Sequence, residues 1–375
     1  MKDRPKIVAL TFKEGFSGIN KPLFENLKQR WEVEIIDAEY VPSSVKLIKM
    51  IKTFSFNKLR WGNRYHQELA KYTIKPKTFL QRTNQCKKKV KNLKGKVALL
   101  YQGSALFSAS DEKIPVPYVI YIDFTSKLAE ELYPEWVPFR SDSEKENWYE
   151  LENALYNKVD LILVFNEIVR QSLMNHYGIG SDKIRVIGSG VNLDDLSDFD
   201  KVYEPILLFV CRDFKRHGGE IVLKSFKLVQ KKIKDLKLFI VGVDFKSGDD
   251  NIITTGNLNR QRLDSLYRRA SGLVMPAKVG GLQTVLEAMA RKCCCFVSQG
   301  NPHLTYLIKD GENGIVTPFG DEVKLAERII SVLEDKELLR KIGENGYLQV
   351  KENYTWAKVV EKMEREFLNM LKIVE

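Results

Sequence analysis

The stretch ILLFVCRDFKRHGG, residues 206–219, decides how this chain folds. It opens with five apolar residues, the pattern of a buried parallel strand, and it ends with Gly218 and Gly219, after which a helix is predicted over residues 221–234. Free backbone N–H groups at the start of a helix bind anions, so the basic loop predicts a phosphate site; the alternative is a solvated loop. The candidate phosphate ligands are Arg212, Lys215, Arg216 and His217.

A second strand–glycine–helix stretch, MPAKVGGLQTVLEAMA, occupies residues 275–290. Gly280 and Gly281 again stand where a strand passes into a helix. Glu287 lies about two turns into that helix, and Thr284 is three residues before it, so both share one face. A carboxylate in this position can accept hydrogen bonds from a ribose diol, as in dinucleotide-binding folds; the alternative is an ordinary exposed glutamate.

The remainder of the chain repeats this strand–loop–helix alternation in two halves. The first half begins with the apolar run KIVALTF and the glycine-containing loop KEGFSGIN, and an acidic linker at residues 194–204 precedes the second half. We predict an α/β protein of two Rossmann-like, doubly wound domains that face a cleft, where ligands are expected. The predicted domains are residues 1–198 with a basic insert at 46–96, residues 205–354, and a terminal helix at 355–375 that packs back toward the N-terminal domain.

Composition excludes several classes of protein. Of the 375 residues, 44% are hydrophobic and 29% are charged, which is typical of soluble globular proteins and not of disordered, collagen-like or membrane-embedded chains. The net charge of +11 is unevenly distributed, because residues 46–96 contain 13 Lys, 3 Arg and a single acid, Glu68. The rest of the chain carries a net charge of −4.

The cysteines and the apolar runs indicate a cytoplasmic protein. We expect no signal peptide and no transmembrane helix, because the first apolar run is short and no stretch approaches about 18 apolar residues. The five cysteines include the run 293–295 and lack the spacing of a metal site or a disulfide framework. We therefore expect reduced thiols, with the run buried in a strand.

Several segments from residue 183 onward, in this order, resemble the retaining glycosyltransferases of family 4 (glycosyl transferases group 1), which have the GT-B fold. The resemblance is good over residues 155–375, weaker over 1–45 and 97–140, and absent over 46–96. The segments that carry it are KIRVIGSGV (183–191), RDFKRHGG (212–219), LKLFIVG (236–242), LYRRASGLVMPA (266–277), GGLQTVLEAMA (280–290), IKDGENGIVTP (308–318) and YTW (354–356).

The resemblance implies that the C-terminal domain binds a nucleotide sugar and the N-terminal domain its acceptor. Arg212 matches the family arginine that holds the donor diphosphate, and it is a catalytic candidate. His217 falls on the family lysine, with Lys215 and Arg216 beside it as further diphosphate ligands. In the first domain, Gly18 of the loop GFSG is expected to approach the diphosphate.

The family also carries two glutamates eight positions apart. The second matches Glu287 and binds the nucleotide ribose, whereas the first falls on Val279. Valine cannot accept hydrogen bonds from donor-sugar hydroxyls, so this position departs from the usual selection of the hexose. The residues assigned to the donor sugar and ribose are Gly280, Gly281, Leu282, Gln283, Thr284 and Glu287.

Asp123 stands near the position of a functional family histidine, after the strand PYVIYI. It is the second catalytic candidate, and three roles are open: binding the acceptor hydroxyl, accepting its proton, or capping the next helix. The resemblance implies transfer with retention of configuration, without a cofactor or metal. Consistently, the pair Asp249-Asp250 lies in a loop and does not follow a strand.

The basic insert has three possible roles: binding a membrane surface, binding nucleic acid, or covering the acceptor site. An anionic membrane surface would attract it, with VKLIKMI (45–51), Phe54 and Phe56 as the apolar side of an interfacial helix, and this suits an enzyme with a lipid-linked or anionic acceptor. Nucleic acid is disfavoured because no recognition motif is found. The third alternative is a solvated lid over the acceptor site.

The sequence therefore predicts a nucleotide-sugar-dependent glycosyltransferase of hexosyltransferase type, cytoplasmic or peripheral on the cytoplasmic membrane face. The alternative is a GT-B-shaped protein that binds nucleotide sugars but has lost catalysis, which the departures at Val279 and His217 favour. A nucleic-acid binder acting through residues 46–96 is a third hypothesis.

Overall fold

The computed structural model describes residues 4–12, 18–39, 41–56, 61–62, 64–65, 68–69, 73–91, 93, 96–109, 116–193, 195–245 and 247–372. The chain forms two compact units. The first combines Met1–Gly188 with Val360–Glu375, and the second is Ser189–Val359. The predicted assignment of acceptor and donor binding to two domains stays a prediction.

Each unit is built on a six-stranded parallel sheet. The strands of the first unit are β1 (Lys6–Thr11), β2 (Glu32–Asp37), β3 (Leu99–Gln102), β4 (Tyr118–Ile122), β5 (Leu161–Val164) and β6 (Ile184–Val186), in the spatial order β2-β1-β3-β4-β5-β6. Those of the second are β7 (Glu204–Val210), β8 (Lys237–Val241), β9 (Ile252–Gly256), β10 (Ala270–Met275), β11 (Cys294–Ser298) and β12 (Ile315–Thr317), in the order β12-β11-β10-β7-β8-β9.

Helices connect the strands, as parallel pairing requires. In chain order they are α1 (Asn20–Leu27), α2 (Ser43–Thr53), α3 (Pro76–Lys91), α4 (Ser126–Leu132), α5 (Asp142–Lys158), α6 (Glu167–Tyr177), α7 (Gly219–Gln230), α8 (Arg260–Arg269), α9 (Leu282–Met289), α10 (Pro302–Leu307), α11 (Glu322–Glu334), α12 (Lys336–Asn353) and α13 (Trp356–Leu371). Among the described helices, none is long and apolar enough to cross a membrane.

The central strands are largely apolar because both of their faces are buried, whereas the edge strand β2 carries Glu32, Glu34 and Asp37. In β7, Ile206 and Leu208 contribute to one core cluster of the second unit, and Leu207 and Phe209 contribute to the other. The cysteine run behaves in the same way: Cys293 and Cys295 lie in one cluster and Cys294 in the other, and all three are fully buried. The prediction of buried, reduced cysteines is confirmed for these residues.

Two local features were not predicted from the sequence. Strand β7 begins at Glu204, the last residue of the predicted linker, so Pro205 is its second residue; an irregularity in the pairing with β10 accommodates a residue that has no backbone N–H. The basic insert contains helix α3, which was not predicted. The buried side of α3 includes Arg82 and Thr83 as well as Phe79 and Cys86, so it shows no apolar stripe in the sequence.

Candidate donor site in the second unit

The strand order of the second unit places the two glycine loops side by side. Read from β9, the order is β9-β8-β7-β10-β11-β12, the Rossmann order in which the first and fourth strands of the domain are neighbours. The first strand is β7 and the fourth is β10, and their register pairs Leu208 with Leu273. The loops that follow these strands therefore leave the sheet at its switch point, where open α/β sheets bind ligands.

The loop after β7 is a compact turn that presents its bases outward. The backbone N–H of His217 donates to the carbonyl of Asp213 at 3.1 Å, and that of Gly219 donates to the carbonyl of Phe214 at 2.8 Å. Arg212 and Lys215 are exposed, and neither side chain has a hydrogen-bond or ion-pair partner among the described residues. Their positive charges therefore remain available to an anion.

His217 differs from these neighbours because its side chain is buried. Its ring Nδ1 lies 2.7 Å from the carbonyl oxygen of Asp213. Burial lowers the pKa of His217 below its ordinary value of 6.5, and the charges of Arg216 and Arg212 act in the same direction. The predicted basic cluster thus contains exposed cations and one buried histidine whose neutral form is favoured.

Glycines shape the entry to both helices. Gly218 caps α7 with φ +83°, and a Cβ there would lie 3.0 Å from Cγ of Pro276, in the loop after β10. Gly281 caps α9 with φ +84°, where a Cβ would lie 3.0 Å from Cγ of Met275. Gly280 has φ +75°, and its carbonyl accepts a hydrogen bond from the buried Asn301 side chain at 3.0 Å. Asn301 is thus a supporting residue that the sequence did not single out.

The start of α9 leaves backbone donors unused. Among the described residues, no acceptor is found for the N–H groups of Leu282, Gln283 and Thr284, which belong to the first turn of the helix. The side chain of Gln283 is occupied, because its amide nitrogen donates to Ser189 Oγ at 3.1 Å and to the Gly190 carbonyl at 2.9 Å. Gln283 therefore offers its backbone to a ligand, while its side chain fixes the segment at residues 189–190.

Glu287 is half-buried on α9, and no described residue hydrogen-bonds to its carboxylate. Burial raises its pKa to about 7, against the opposing effects of Arg260 and Arg291. Val279, at the position of the missing family glutamate, is buried and 2% exposed. The second unit therefore brings together residues 212–219 and 280–287, with one carboxylate in the latter segment.

Asp123 and Gly18 belong to the first unit. Asp123 follows β4 and is exposed. Capping of α4 is performed by Thr125, whose hydroxyl accepts from the Leu128 N–H at 3.2 Å, so the capping role considered for Asp123 is wrong. Gly18 has φ +70° at the end of the predicted loop, of which residues 13–17 lie outside the described part of the chain.

A buried carboxylate holds the turn that carries Asp123. Glu152, on α5, accepts hydrogen bonds from the backbone N–H of Ser126 at 3.1 Å and from the hydroxyls of Tyr156 and Tyr177. Sequence alone did not indicate this residue. Within the described ranges, no group of three or more His, Cys, Asp or Glu side chains is arranged to hold a metal ion.

Known protein families were compared with this chain, and the match to a family model lies within the second unit. Residues 198–349 match the family model described as Glycosyl transferases group 1. An uncharacterized glycosyltransferase of Methanocaldococcus jannaschii is 23% identical over 236 residues, which cover 57% of this chain and 59% of that protein. Across three curated relatives the chain spans between 50% and 64% of their length.

Longer matches extend over both units. A Campylobacter jejuni α-1,4-N-acetyl-D-galactosaminyltransferase, named for an undecaprenol-linked acceptor, is 22% identical over 86% of both chains. The solved structure of sucrose-phosphate synthase from Thermosynechococcus elongatus superposes with a TM-score of 0.69 at 17% identity, covering 99% of this chain and all of that one. The predicted α/β fold of two Rossmann-like domains is confirmed. Residues 198–349 form a glycosyl transferases group 1 domain, in a chain with the fold of the GT-B glycosyltransferases.

Proposed function

We propose that this protein is a glycosyltransferase that moves a hexose from a nucleotide-sugar donor to an acceptor hydroxyl, with retention of configuration and without a metal ion. The observation that carries the proposal is the arrangement at the switch point of the second sheet. There, Arg212 and Lys215, for which the described residues offer no partner, follow β7, and the neighbouring strand β10 leads into a helix start whose first N–H groups have no acceptor among the described residues.

Arg212 and Lys215 are proposed to neutralise the negative charge that builds on the leaving diphosphate. Stabilisation of developing charge by fixed donors is a large contribution to catalysis, and the amides of α9 act with the two side chains. Arg216 is also exposed on this loop and is the third proposed diphosphate ligand, with Gly18 proposed from the first unit.

Glu287 is proposed to accept hydrogen bonds from the ribose, and this role requires its ionised form. Asp123, exposed after β4, is proposed to bind the acceptor hydroxyl or accept its proton. In a retaining transfer, the bond between the sugar and the diphosphate breaks, and the acceptor oxygen forms its new bond on the same face. The acceptor proton passes during this step to Asp123 or to an oxygen of the leaving diphosphate.

The decisive experiment is a thermal-shift panel of nucleotide sugars, followed by a transfer assay. A cognate nucleotide sugar raises Tm of the wild-type protein, and Arg212→Ala abolishes the shift. Lys237→Ala, an exposed base in the same unit, is the control and keeps it. If no nucleotide sugar raises the wild-type Tm, the proposal is wrong. NMR of the product gives its anomeric configuration, and activity that requires a divalent cation after EDTA treatment would contradict the metal-free proposal.

We also propose that the acceptor is lipid-linked and that the protein binds an anionic membrane surface through α2. Two relatives are named for lipid substrates: the Campylobacter enzyme above and a phosphatidyl-myo-inositol mannosyltransferase of Mycobacterium leprae, 25% identical over 206 residues. These names support a lipid-linked acceptor, and a position on the cytoplasmic membrane face is proposed together with it.

Helix α2 and the residues after it form an exposed surface that is both apolar and basic. Ile51 is 65% exposed and Phe56 is 96% exposed. Phe54 packs edge-on against Phe56 and Trp61, with ring centroids 5.3 and 5.7 Å apart, so the aromatic side chains form a cluster at the end of the helix. The other large exposed apolar residues here are Leu47, Ile48 and Met50, and the exposed lysines of the helix are Lys46 and Lys52.

This combination fits the interface of an anionic bilayer. Apolar side chains insert among the acyl chains, and each lysine near the surface contributes about 1 kcal/mol. Sedimentation with phosphatidylglycerol vesicles at low salt tests it. The wild type sediments, the double variant Phe54→Ser/Phe56→Ser does not, and Val202→Ser, which changes an exposed valine of the second unit, is the matched control. Binding to random duplex DNA without vesicle binding would support the nucleic-acid alternative instead.

One observation favours a second candidate function, a nucleotide-sugar-binding protein without transfer activity. The position of the missing glutamate is occupied by a buried valine, which cannot accept hydrogen bonds from a donor sugar. This alternative predicts a Tm shift with a nucleotide sugar and no product with any acceptor in a membrane extract. Turnover in that extract would exclude it.

A further inference from the structure

The hydrogen bond of His217 fixes which of its ring nitrogens carries a proton. Nδ1 lies 2.7 Å from the carbonyl oxygen of Asp213, and a carbonyl oxygen only accepts hydrogen bonds, so Nδ1 carries the hydrogen. A neutral imidazole has a single N–H, which leaves Nε2 with a free lone pair. Because burial lowers the pKa of this histidine, the neutral form is the one present at pH 7.

The lone pair of Nε2 faces the loop after β10. Nε2 lies 3.6 Å from the point where a Cβ on Gly280 would stand, and no partner for it is found among the described residues. His217 is only 7% exposed, so Nε2 is an acceptor on a largely buried ring, at a spot beside Gly280. That spot adjoins the unused amides at the start of α9, where a ligand is expected.

A neutral acceptor is poorly suited to a phosphate, which presents only acceptor oxygens near neutral pH. It is well suited to a hydroxyl group, which needs an acceptor. The neighbouring Val279 supplies none, and a glycine at 280 leaves the space beside Nε2 free of any side chain.

We propose that Nε2 of His217 accepts a hydrogen bond from a hydroxyl group of the donor sugar, in place of the carboxylate that Val279 lacks, and does not bind the diphosphate. This inference rests on the proposed function. It assigns diphosphate binding to Arg212 and Lys215, and it makes His217 a specificity-determining residue for donors that carry a hydroxyl at that position.

The inference also sets the direction of a pH effect. Protonation turns Nε2 from an acceptor into a donor, so the contribution of the sugar to binding is lost as pH falls through the pKa of His217. The charged groups that act on His217 are Asp213, Arg212 and Arg216 of its own loop. On the facing loop the charged residue is the exposed Lys278, whose ammonium lies over the ring of Phe319 at 4.6 Å.

The test compares nucleotide sugars with their nucleoside diphosphates by isothermal titration calorimetry. The probes are UDP-glucose, UDP-N-acetylglucosamine and GDP-mannose, each paired with UDP or GDP. His217→Leu is expected to weaken binding of the cognate nucleotide sugar about tenfold. Its affinity for the nucleoside diphosphate is expected to stay within about twofold of the wild-type affinity, and this retained binding also shows that the variant is folded. His217→Gln, which keeps an acceptor, is expected to retain most of the affinity for the nucleotide sugar.

The ratio of the two affinities provides the pH readout. For the wild type we expect the preference for the nucleotide sugar over the diphosphate to fall as pH is lowered below 6.5, the ordinary pKa of histidine, and for His217→Leu we expect no change. Two results would show that His217 binds phosphate and would overturn the inference. One is an equal loss of affinity for the nucleotide sugar and the nucleoside diphosphate in His217→Leu. The other is a wild-type affinity for the diphosphate that increases at low pH, with no such increase in His217→Leu. If the wild type binds none of the probes, the proposed function fails and this inference fails with it. Wild-type binding without an effect of His217→Leu overturns the inference alone.

Discussion

The carboxyl group of Glu287 illustrates a conflict between stability and function at a single residue. Burial raises its pKa from 4.5 to about 7, so the folded protein holds this proton more tightly than the unfolded chain does. Stability contributed by the protonated form is therefore present below pH 4.5 and is lost as pH rises to about 7. At neutral pH the ionised carboxylate destabilises the second unit, and the proposed ribose contact requires that ionised form.

Glu287→Gln is predicted to stabilise the protein at pH 8 by about 2 kcal/mol and to leave stability unchanged at pH 4, because the wild-type residue is then already neutral. Thermal unfolding at both pH values measures this. Glu334→Gln, a change to an exposed glutamate of the same unit, is the control and shows no pH-dependent difference. Equal stability of Glu287→Gln and wild type at pH 8 would contradict the prediction.

The sequence identifies which types of side chain form the candidate site, but not which of these side chains are buried. Spacing places Glu287 on a helix beside a glycine pair, and the structure agrees. It groups His217 with three exposed bases, whereas the turn from Asp213 to Gly219 directs that one ring inward. Which side chain of a short loop is buried depends on the loop's own hydrogen bonds, and periodicity does not encode these.

The two glycine caps are the elements on which the candidate donor site depends. Both have positive φ, which costs an L-residue about 1–2 kcal/mol. Gly218 also faces Pro276 closely, so the cap and the neighbouring loop are fitted to each other.

Gly218→Ala is predicted to destabilise the second unit by more than Gly178→Ala destabilises the first. Gly178 ends α6 with φ +66°, but nothing lies within 4 Å of its Cβ position, so that variant measures backbone strain alone, about 1 kcal/mol. Gly218→Ala adds a contact of 3.0 Å with Pro276 and is expected to weaken nucleotide-sugar binding as well. Chemical denaturation of each variant checks the order; equal losses would show that the contact relaxes freely.

In the first unit, Glu152 connects helix α5 to the turn before α4. Glu152→Ala leaves the N–H of Ser126 and the hydroxyls of Tyr156 and Tyr177 without their acceptor, and each lost partner costs about 1 kcal/mol or more. We therefore predict a loss of about 3 kcal/mol in the free energy of unfolding of the first unit. Tyr156→Phe, which removes one of these bonds, is the graded control with a loss of about 1 kcal/mol. Urea unfolding measures the free energy of unfolding of both variants. Similar losses in Glu152→Ala and Tyr156→Phe would contradict the prediction.

The central strands were predicted well, the edge strands β9 and β12 were not predicted, and amphipathic surface helices were predicted unevenly. Fully buried parallel strands such as β7 are continuous apolar runs, which the sequence displays directly. Helix α3 buries a mixed face, and the apolar side chains of α2 are exposed, so in neither helix does the apolar pattern match the buried face.

At the scale of the whole molecule, the end of the chain completes the first unit. Trp31 donates from its indole nitrogen to Glu364 at 2.9 Å, and its ring meets Phe367 edge-on with centroids 5.8 Å apart. Arg185 lies in β6, and its Nε is 3.2 Å from Oε2 of Glu366. The last helix thus contributes both apolar and polar contacts to a unit whose other residues end at Gly188.

Phe367→Ala is predicted to lower the stability of the first unit by about 3–5 kcal/mol, because this fully buried ring leaves a cavity beside Trp31. Differential scanning calorimetry resolves the transition, and tryptophan fluorescence reports the loosening around Trp31. Arg365→Ala, an exposed position of the same helix, is the control and changes stability by less than about 0.5 kcal/mol. A small effect of Phe367→Ala would show that the helix contributes little to this unit.

The discontinuity of the first unit sets an order of assembly during synthesis. A ribosome makes residues 1–188 before the second unit, but it makes residues 360–375, which complete the first unit, only after the second unit. The second unit, by contrast, has all of its residues once Val359 has been made. Domains generally fold as units while the chain is being made, so the unit begun first is completed last. A stop codon at residue 360 would remove the segment 360–375 and would therefore impair the unit that contains residues 1–188, while every residue of the second unit is still made.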